Sequence, residues 1–201
     1  MTGRPDPIPA GAVHLCVDMQ RLFAPGSRWG VDWMPRILVR VETLCRVHAA
    51  RTVFTRFVPA RRPGEGHGAW RRYWERWAEM TLAAVGPDLV RLLPELERHV
   101  PPAQVVDKPV YSPWLATDLH RRLQAQGCDT VVVSGGETDM CVLATVLGAV
   151  DLGYRVVLVR DAVCSASDDG HDATLRLFES RFGAQVEIAT TEGVLVAWQT
   201  A

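Results

Sequence analysis

Three side chains in this sequence are of types that can carry out nucleophilic chemistry together. Asp18 closes an apolar run, within HLCVDMQ; Lys108 closes another, within VVDKPVYSPW; Cys141 stands in SGGETDMCVLATVLG, just after a glycine pair. A carboxylate can take a proton, an ammonium can hold developing charge, and a thiolate can attack a carbonyl carbon. Each residue also has a plainer reading. Asp18 suits a turn or cap. A lone loop lysine is usually a solvated surface group, and a free cysteine is usually a small buried hydrophobe. Composition weighs against the plain reading of Lys108. Of 22 basic residues it is the only lysine, and all the others are arginine. A bias that strong replaces any lysine that merely carries charge, and lysine has a tunable pKa that the guanidinium lacks.

Cys141 has a positional argument. Thr138 is a good helix N-cap. That cap puts Cys141 at the third helical position, with an amide left unpaired by the helix. The positive end of the helix dipole favours thiolate there, and a neighbouring Lys108 lowers the thiol pKa further. Gly135-Gly136 supply the backbone freedom that a sharp elbow needs. Cys16, Cys45, Cys128 and Cys164 lack this setting and read as structural. Five cysteines with no CxxC pair fit neither a zinc ribbon nor a disulfide framework; they suit the reduced thiols of the cytoplasm.

These residues need elements to hold them. Short β-branched runs at Val13–Val17, Thr52–Thr55, Gln104–Val106, Thr130–Val133, Arg155–Val159 and Gln185–Ala189 read as strands. Helical patterns fall between them, at about Val31–Ala49, Ala69–Val85, Leu115–Gln126, Asp139–Leu152, Gly170–Phe182 and Thr191–Gln199. The alternation predicts an α/β fold, an open doubly wound, mainly parallel six-stranded sheet with helices on both faces. Ligands then bind at the carboxyl ends of the strands, where Asp18, Lys108 and Cys141 fall.

A length of 201 residues suits a single domain over 1–201, with the Pro- and Gly-rich residues 1–11 as a loose lead-in. Hydrophobic residues at 48% and charged residues at 22% exclude disordered and collagen-like chains. A net charge of −1 gives no electrostatic reason to bind nucleic acid or an anionic membrane. No apolar run is long enough to span a bilayer, and the N-terminus lacks a signal-peptide pattern, so the expected location is cytoplasmic.

Taken together, the motifs resemble the cysteine-hydrolase branch of the isochorismatase-like superfamily, over about Val13 to Trp198. The family pattern is an Asp ending the first strand, a Lys after the third, and a Gly-x-x-Thr-x-x-Cys-Val elbow after the fourth. The sequence supplies Asp18, Lys108 and Gly135-Gly136-Glu137-Thr138-Asp139-Met140-Cys141-Val142, and DLGYRVVLVRDAVCS is similar too. The resemblance implies a cis peptide at Gly136–Glu137 and an oxyanion hole made by the Glu137 and Cys141 amides. It implies Asp18, Lys108 and Cys141 as the catalytic set, and a small-molecule amide, carbamoyl compound or ureide as substrate. True isochorismatases lack the cysteine, so Cys141 points to the amide-cleaving branch. Nicotinamidases carry an Asp-x-His metal pair after the second strand. The stretch here reads Phe54-Thr55-Arg56-Phe57, so neither metal nor cofactor is expected, and nicotinamide becomes an unfavoured substrate. Relatives of this kind assemble, so a homo-oligomer, dimer or tetramer, is expected.

Further contacts follow on the same basis. Phe23, five residues after Asp18, and Trp114, six after Lys108, are candidate aromatic walls, and Arg56 is a candidate for a substrate carboxylate. Trp70, Trp74 and Trp77 share one helical face, which fits a packing stripe better than a lid. His67 and His171 have no metal-like spacing. Two other readings stand beside the hydrolase. One is a catalytically idle binding or assembly module, and the other is a redox-sensing thiol with Cys164 as its partner.

Overall fold

The computed structural model describes residues 4–198. β1 (Val13–Val17) is buried along its whole length. A 3₁₀ turn at Arg21–Phe23 leads to α1 (Met34–Val47), which buries Ile37, Val41 and Leu44 on one stripe. β2 (Thr52–Phe57) follows, then α2 (Ala69–Arg76) and three single-turn helices, α3 (Leu82–Val85), α4 (Pro87–Val90) and α5 (Pro94–Glu97). Next come β3 (Gln104–Lys108), α6 (Leu119–Ala125), β4 (Thr130–Gly136), a π-helical turn at Thr138–Val142, and α7 (Leu143–Asp151). β5 (Arg155–Cys164), α8 (Asp168–Arg181), β6 (Val186–Ala189) and α9 (Thr191–Ala197) complete the chain.

The six strands form one all-parallel sheet in the order β3-β2-β1-β4-β5-β6. Parallel strands need covering on both faces, and the alternating side chains of these strands fill two separate cores. Cys16, Phe54, Val132 and Val157 pack under α1 and α9. Leu15, Val53, Val131 and Leu158 pack on the opposite face with Leu119, Val146 and Phe178. The strand order reverses between β1 and β4, which opens a crevice at their carboxyl ends.

Several expected boundaries shift. β2 to β5 all run further than the sequence pattern suggests, because a neighbouring strand supplies hydrogen-bond partners: Phe57 pairs with Lys108, and Gly136 with Cys164. The helix expected over 69–85 breaks after Arg76. There Trp77 leaves helical backbone (φ −105°, ψ 44°) and sets its ring edge-on to Trp29. α6 starts at Leu119 rather than 115, since Ala116 is left-handed (φ 59°) and Thr117 Oγ1 accepts the Leu119 N–H. α8 starts two residues early, capped by Ser167, whose side chain accepts the Gly170 N–H. The ninth helix ends at Ala197, and Gln199 lies outside the described residues.

The lead-in is not loose where it is described. Ile8 is fully buried, bridges in parallel to Trp198, and donates its N–H to Ala197 O at 2.9 Å. The Arg155 guanidinium donates to the carbonyls of Asp6 and Pro7. Proline and glycine forbid regular structure in such a segment but do not prevent docking. All five cysteines are free and buried. Among the described residues no helix is long and apolar enough to cross a membrane.

Candidate active site

Asp18 is the first residue past β1. Its backbone is left-handed (φ 50°), and its N–H reaches Thr55 O at 3.2 Å on the adjacent strand. The Thr55 hydroxyl donates to Asp18 Oδ1 at 2.6 Å, which fixes the carboxylate. Lys108 ends β3, two strands away from β1, a gap of about 10 Å at ordinary strand spacing. Its long stem spans that gap across β2, with the ammonium 5.4 Å from the centre of the Phe57 ring. Nζ then donates to Asp18 Oδ2 at 2.7 Å, to Val110 O at 3.1 Å and to Cys141 Sγ at 3.5 Å. Both members of the Asp18–Lys108 pair are fully buried. Burial alone pulls the ammonium down, but Asp18 and Cys141 outweigh it and hold Lys108 above its usual value.

Cys141 sits on the π-helical turn after β4, and its chain is 6% exposed. Burial pushes its thiol well above the ordinary value, the Asp18 carboxylate pushes it the same way, and Lys108 opposes them without prevailing. This corrects the thiolate expected from the helix dipole and Lys108. The desolvation of sulfur, invisible in sequence, is the largest influence, so Cys141 rests as a neutral thiol.

The turn is tied residue by residue to the segment after β5. The Gly136–Glu137 peptide is cis. Glu137 Oε2 accepts the Ala166 N–H at 2.9 Å. Thr138 is no N-cap, because the π turn already includes it. Its hydroxyl instead donates to Cys164 O at 3.1 Å, with His171 Nδ1 at 2.9 Å as a second partner. Asp139 Oδ1 accepts from Ser165 Oγ at 2.6 Å. Behind the nucleophile, Thr145 Oγ1 donates to Cys141 O at 2.7 Å. His171, unassigned in the sequence, thus braces the turn and also meets Trp33 edge-on.

A cavity of about 280 Å³ opens above Cys141. Phe23, Trp29, Phe57, Tyr73 and Tyr111 form its aromatic walls, and Glu137 and Met140 lie on the cysteine side. Trp29 organises these walls: its ring meets Phe23, Phe57, Tyr73, Trp74 and Trp77 at 5.5–6.3 Å between centroids.

The model of the isochorismatase domain matches residues 12–190. The chain belongs to the isochorismatase domain family. It is similar to the uncharacterized isochorismatase family protein PncA of Bacillus subtilis, 36% identical over 104 residues, covering 50% of this chain and 57% of that protein. It is also similar to maleamate amidohydrolase of Pseudomonas putida, 38% identical over 79 residues, covering 39% of this chain and 37% of the relative. The matches thus span between about a third and somewhat over half of these relatives' lengths. Among solved structures, a cysteine hydrolase from Pseudomonas syringae pv. phaseolicola superposes with a TM-score of 0.81 at 24% identity, covering 94% of this chain and 92% of that one.

Two candidate contacts of this isochorismatase-family chain stand away from the cleft. Trp114 is turned into the core: its Nε1–H donates to Thr145 O at 2.8 Å and its ring stacks on Tyr154. Gly148 lies so close beneath that ring that a Cβ there would overlap it. Arg56 is spent on Asp107, in a bidentate pair at 2.7 and 2.8 Å. Trp114 was placed by counting from Lys108 along irregular chain, where sequence distance does not fix direction, and Arg56 by its place at a strand end, which does not reveal the Asp107 carboxylate on the neighbouring strand. Phe23 does line the cleft. Trp70, Trp74 and Trp77 join one aromatic cluster with Phe57 and Leu22, a packing role, while Tyr73 between them faces the cavity. His67 lines a second cavity, together with Lys108, and not the one above Cys141.

Trp29, Tyr73, Tyr111 and Thr55 were not singled out in the sequence. Only Tyr73 carried a signal there, as the odd aromatic within AWRRYWERW. The donor set does not suit a metal ion. The stretch Phe54-Thr55-Arg56-Phe57 offers no carboxylate or imidazole, and among the described residues no three His, Cys, Asp or Glu converge. Cys164 is fully buried beneath Gly136, and burial pushes its thiol to about 12, a setting for packing rather than redox exchange.

Proposed function

We propose that this protein is a metal-independent cysteine amidohydrolase that cleaves a C–N bond of a small amide, carbamoyl compound or ureide. The observation that carries the reading is the Lys108 ammonium, 2.7 Å from Asp18 and 3.5 Å from Cys141, whose thiol lines an aromatic cleft. Similarity to a maleamate amidohydrolase supports it.

In this reading substrate binding delivers the carbonyl carbon to Cys141 Sγ. Asp18 takes the thiol proton as the sulfur attacks, which a resting neutral thiol requires. Lys108 pairs with Asp18 at 2.7 Å beforehand and balances the charge on sulfur during transfer. The amides of Glu137 and Cys141 hold the oxyanion, and losing one such donor typically costs about 100–1000-fold in rate. Asp18 returns the proton to the leaving amine. A water activated by Asp18 then hydrolyses the thioester and restores the thiol.

The test is ammonia release over a panel of primary amides, carbamoyl amino acids and ureides, with the native protein and Cys141→Ala. Turnover of at least one class, lost in a folded Cys141→Ala, is expected. Undiminished turnover in that variant would end the proposal.

A further inference from the structure

The cleft contains a cation that the proposed chemistry does not use. Arg28 lines the cavity from the loop between the Arg21–Phe23 turn and α1. Its neighbour Trp29 is wedged among five aromatic rings, so the backbone carrying Arg28 is anchored. The guanidinium lies 5.3 Å from the centre of the Trp77 ring, a cation–π seat that steadies it without consuming its N–H donors. Its only carboxylate neighbour among the ion pairs of the described residues is Glu79, at 3.9 Å, beyond hydrogen-bond length, with both side chains more than half exposed. Arg56, by contrast, has its donors filled by Asp107.

The other charges around the cleft are committed. Lys108 and Asp18 hold each other. Glu137 gives one oxygen to the Ala166 N–H, and burial pushes its carboxyl above the usual range. What remains is a slot of about 280 Å³ with flat aromatic walls, a thiol at one part of its lining and a free planar fork at another. A fork of this kind matches a carboxylate in a bidentate way.

We propose that Arg28 is a specificity residue that binds the carboxylate of a substrate whose flat, ring-sized body lies between the aromatic walls, with the scissile amide turned toward Cys141. The substrate class is then a monoamide of an aromatic or similarly planar dicarboxylic acid. This rests on the amidohydrolase reading for the amide end, but the carboxylate end can be tested without turnover.

The experiment measures equilibrium binding by tryptophan fluorescence, which Trp29 should report. The ligands are the three ring isomers of carbamoylbenzoate and their neutral methyl esters. The protein is Cys141→Ala, alone and combined with Arg28→Gln or Arg28→Lys. At least one acid should bind about tenfold or more tighter than its ester, as expected for a charge-assisted pair. The preference should fall to within about twofold in the Arg28→Gln background and partly return with Arg28→Lys. Equal binding of acid and ester, no binding by any isomer, or a preference that survives Arg28→Gln overturns the proposal. If the preference behaves as expected while the native protein releases no ammonia, the hydrolase reading fails and the carboxylate site stands.

Discussion

The Asp139 carboxylate lies against Gly170 so closely that a Cβ at position 170 would overlap it. One residue belongs to the turn that carries Cys141, the other to the first turn of α8. With Glu137 held by Ala166 and Thr138 by Cys164, the contact completes a clamp over three consecutive residues. Glycine at 170 therefore leaves room for the Asp139 carboxylate in the position where Ser165 holds it.

Gly170→Ala should separate two effects. Within a helix, alanine normally stabilises relative to glycine by up to about 1 kcal/mol. Here the new methyl must push the Asp139 carboxylate off Ser165, one of the bonds that hold the turn. Displacements near 1 Å can cost about 100-fold in rate, so kcat should fall by about 10–100-fold with KM little changed. Combining it with Asp139→Ala should be no worse than Asp139→Ala alone, since the overlap is gone. Steady-state kinetics of the three variants check this, and additive losses would contradict the clamp.

Alkylation of Cys141 by iodoacetamide should be slow at pH 7. Its rate should climb only above the ordinary thiol range, because the raised thiol pKa keeps the proton on sulfur until then. Asp18→Asn removes the carboxylate that helps hold that proton and leaves Lys108 in place. Alkylation at neutral pH should then become faster while turnover disappears. Opposite movement of the two rates is the signature of a base that also suppresses the resting thiolate. Mass-spectrometric labelling across pH reads it directly.

Lys108→Met should leave Asp18 buried with the Thr55 hydroxyl but without its counter-charge. Breaking one side of a fully buried pair costs about 3–5 kcal/mol. Removing an exposed pair such as Arg62–Glu65 costs about 1 kcal/mol or less. Urea denaturation of Lys108→Met and Arg62→Met should show that contrast.

Trp114→Phe should lose about 1 kcal/mol with the Nε1–Thr145 hydrogen bond, while leaving KM for any accepted amide unchanged. A shifted KM would return Trp114 to the cleft.

Much of the architecture could be read from the residues, because a doubly wound sheet writes itself locally. Nearly continuous apolar runs such as VHLCV and TVVV read as strands covered on both faces, and glycines such as Gly127 and Gly153 close the helices between them. Asp18 and Cys141 stand out because each follows such a run, and Lys108 because no other lysine exists in the chain. Strand ends were underestimated because the last hydrogen bonds belong to a partner strand distant in sequence, as with Gly136 and Cys164.

What only the tertiary structure decided is distance and dielectric. That Lys108 crosses a strand to reach Asp18, and that Cys141 keeps its proton, depend on how far apart strands lie and how much water burial removes. The aromatic cleft assembles from separate loops, a helix and the end of β2, whose order in the chain carries no record of which way each ring points. Local pattern is set by neighbours along the backbone and can be read there. A site is set by neighbours across space, so Trp114 and Arg56 turned away while Trp29 and Arg28 turned in.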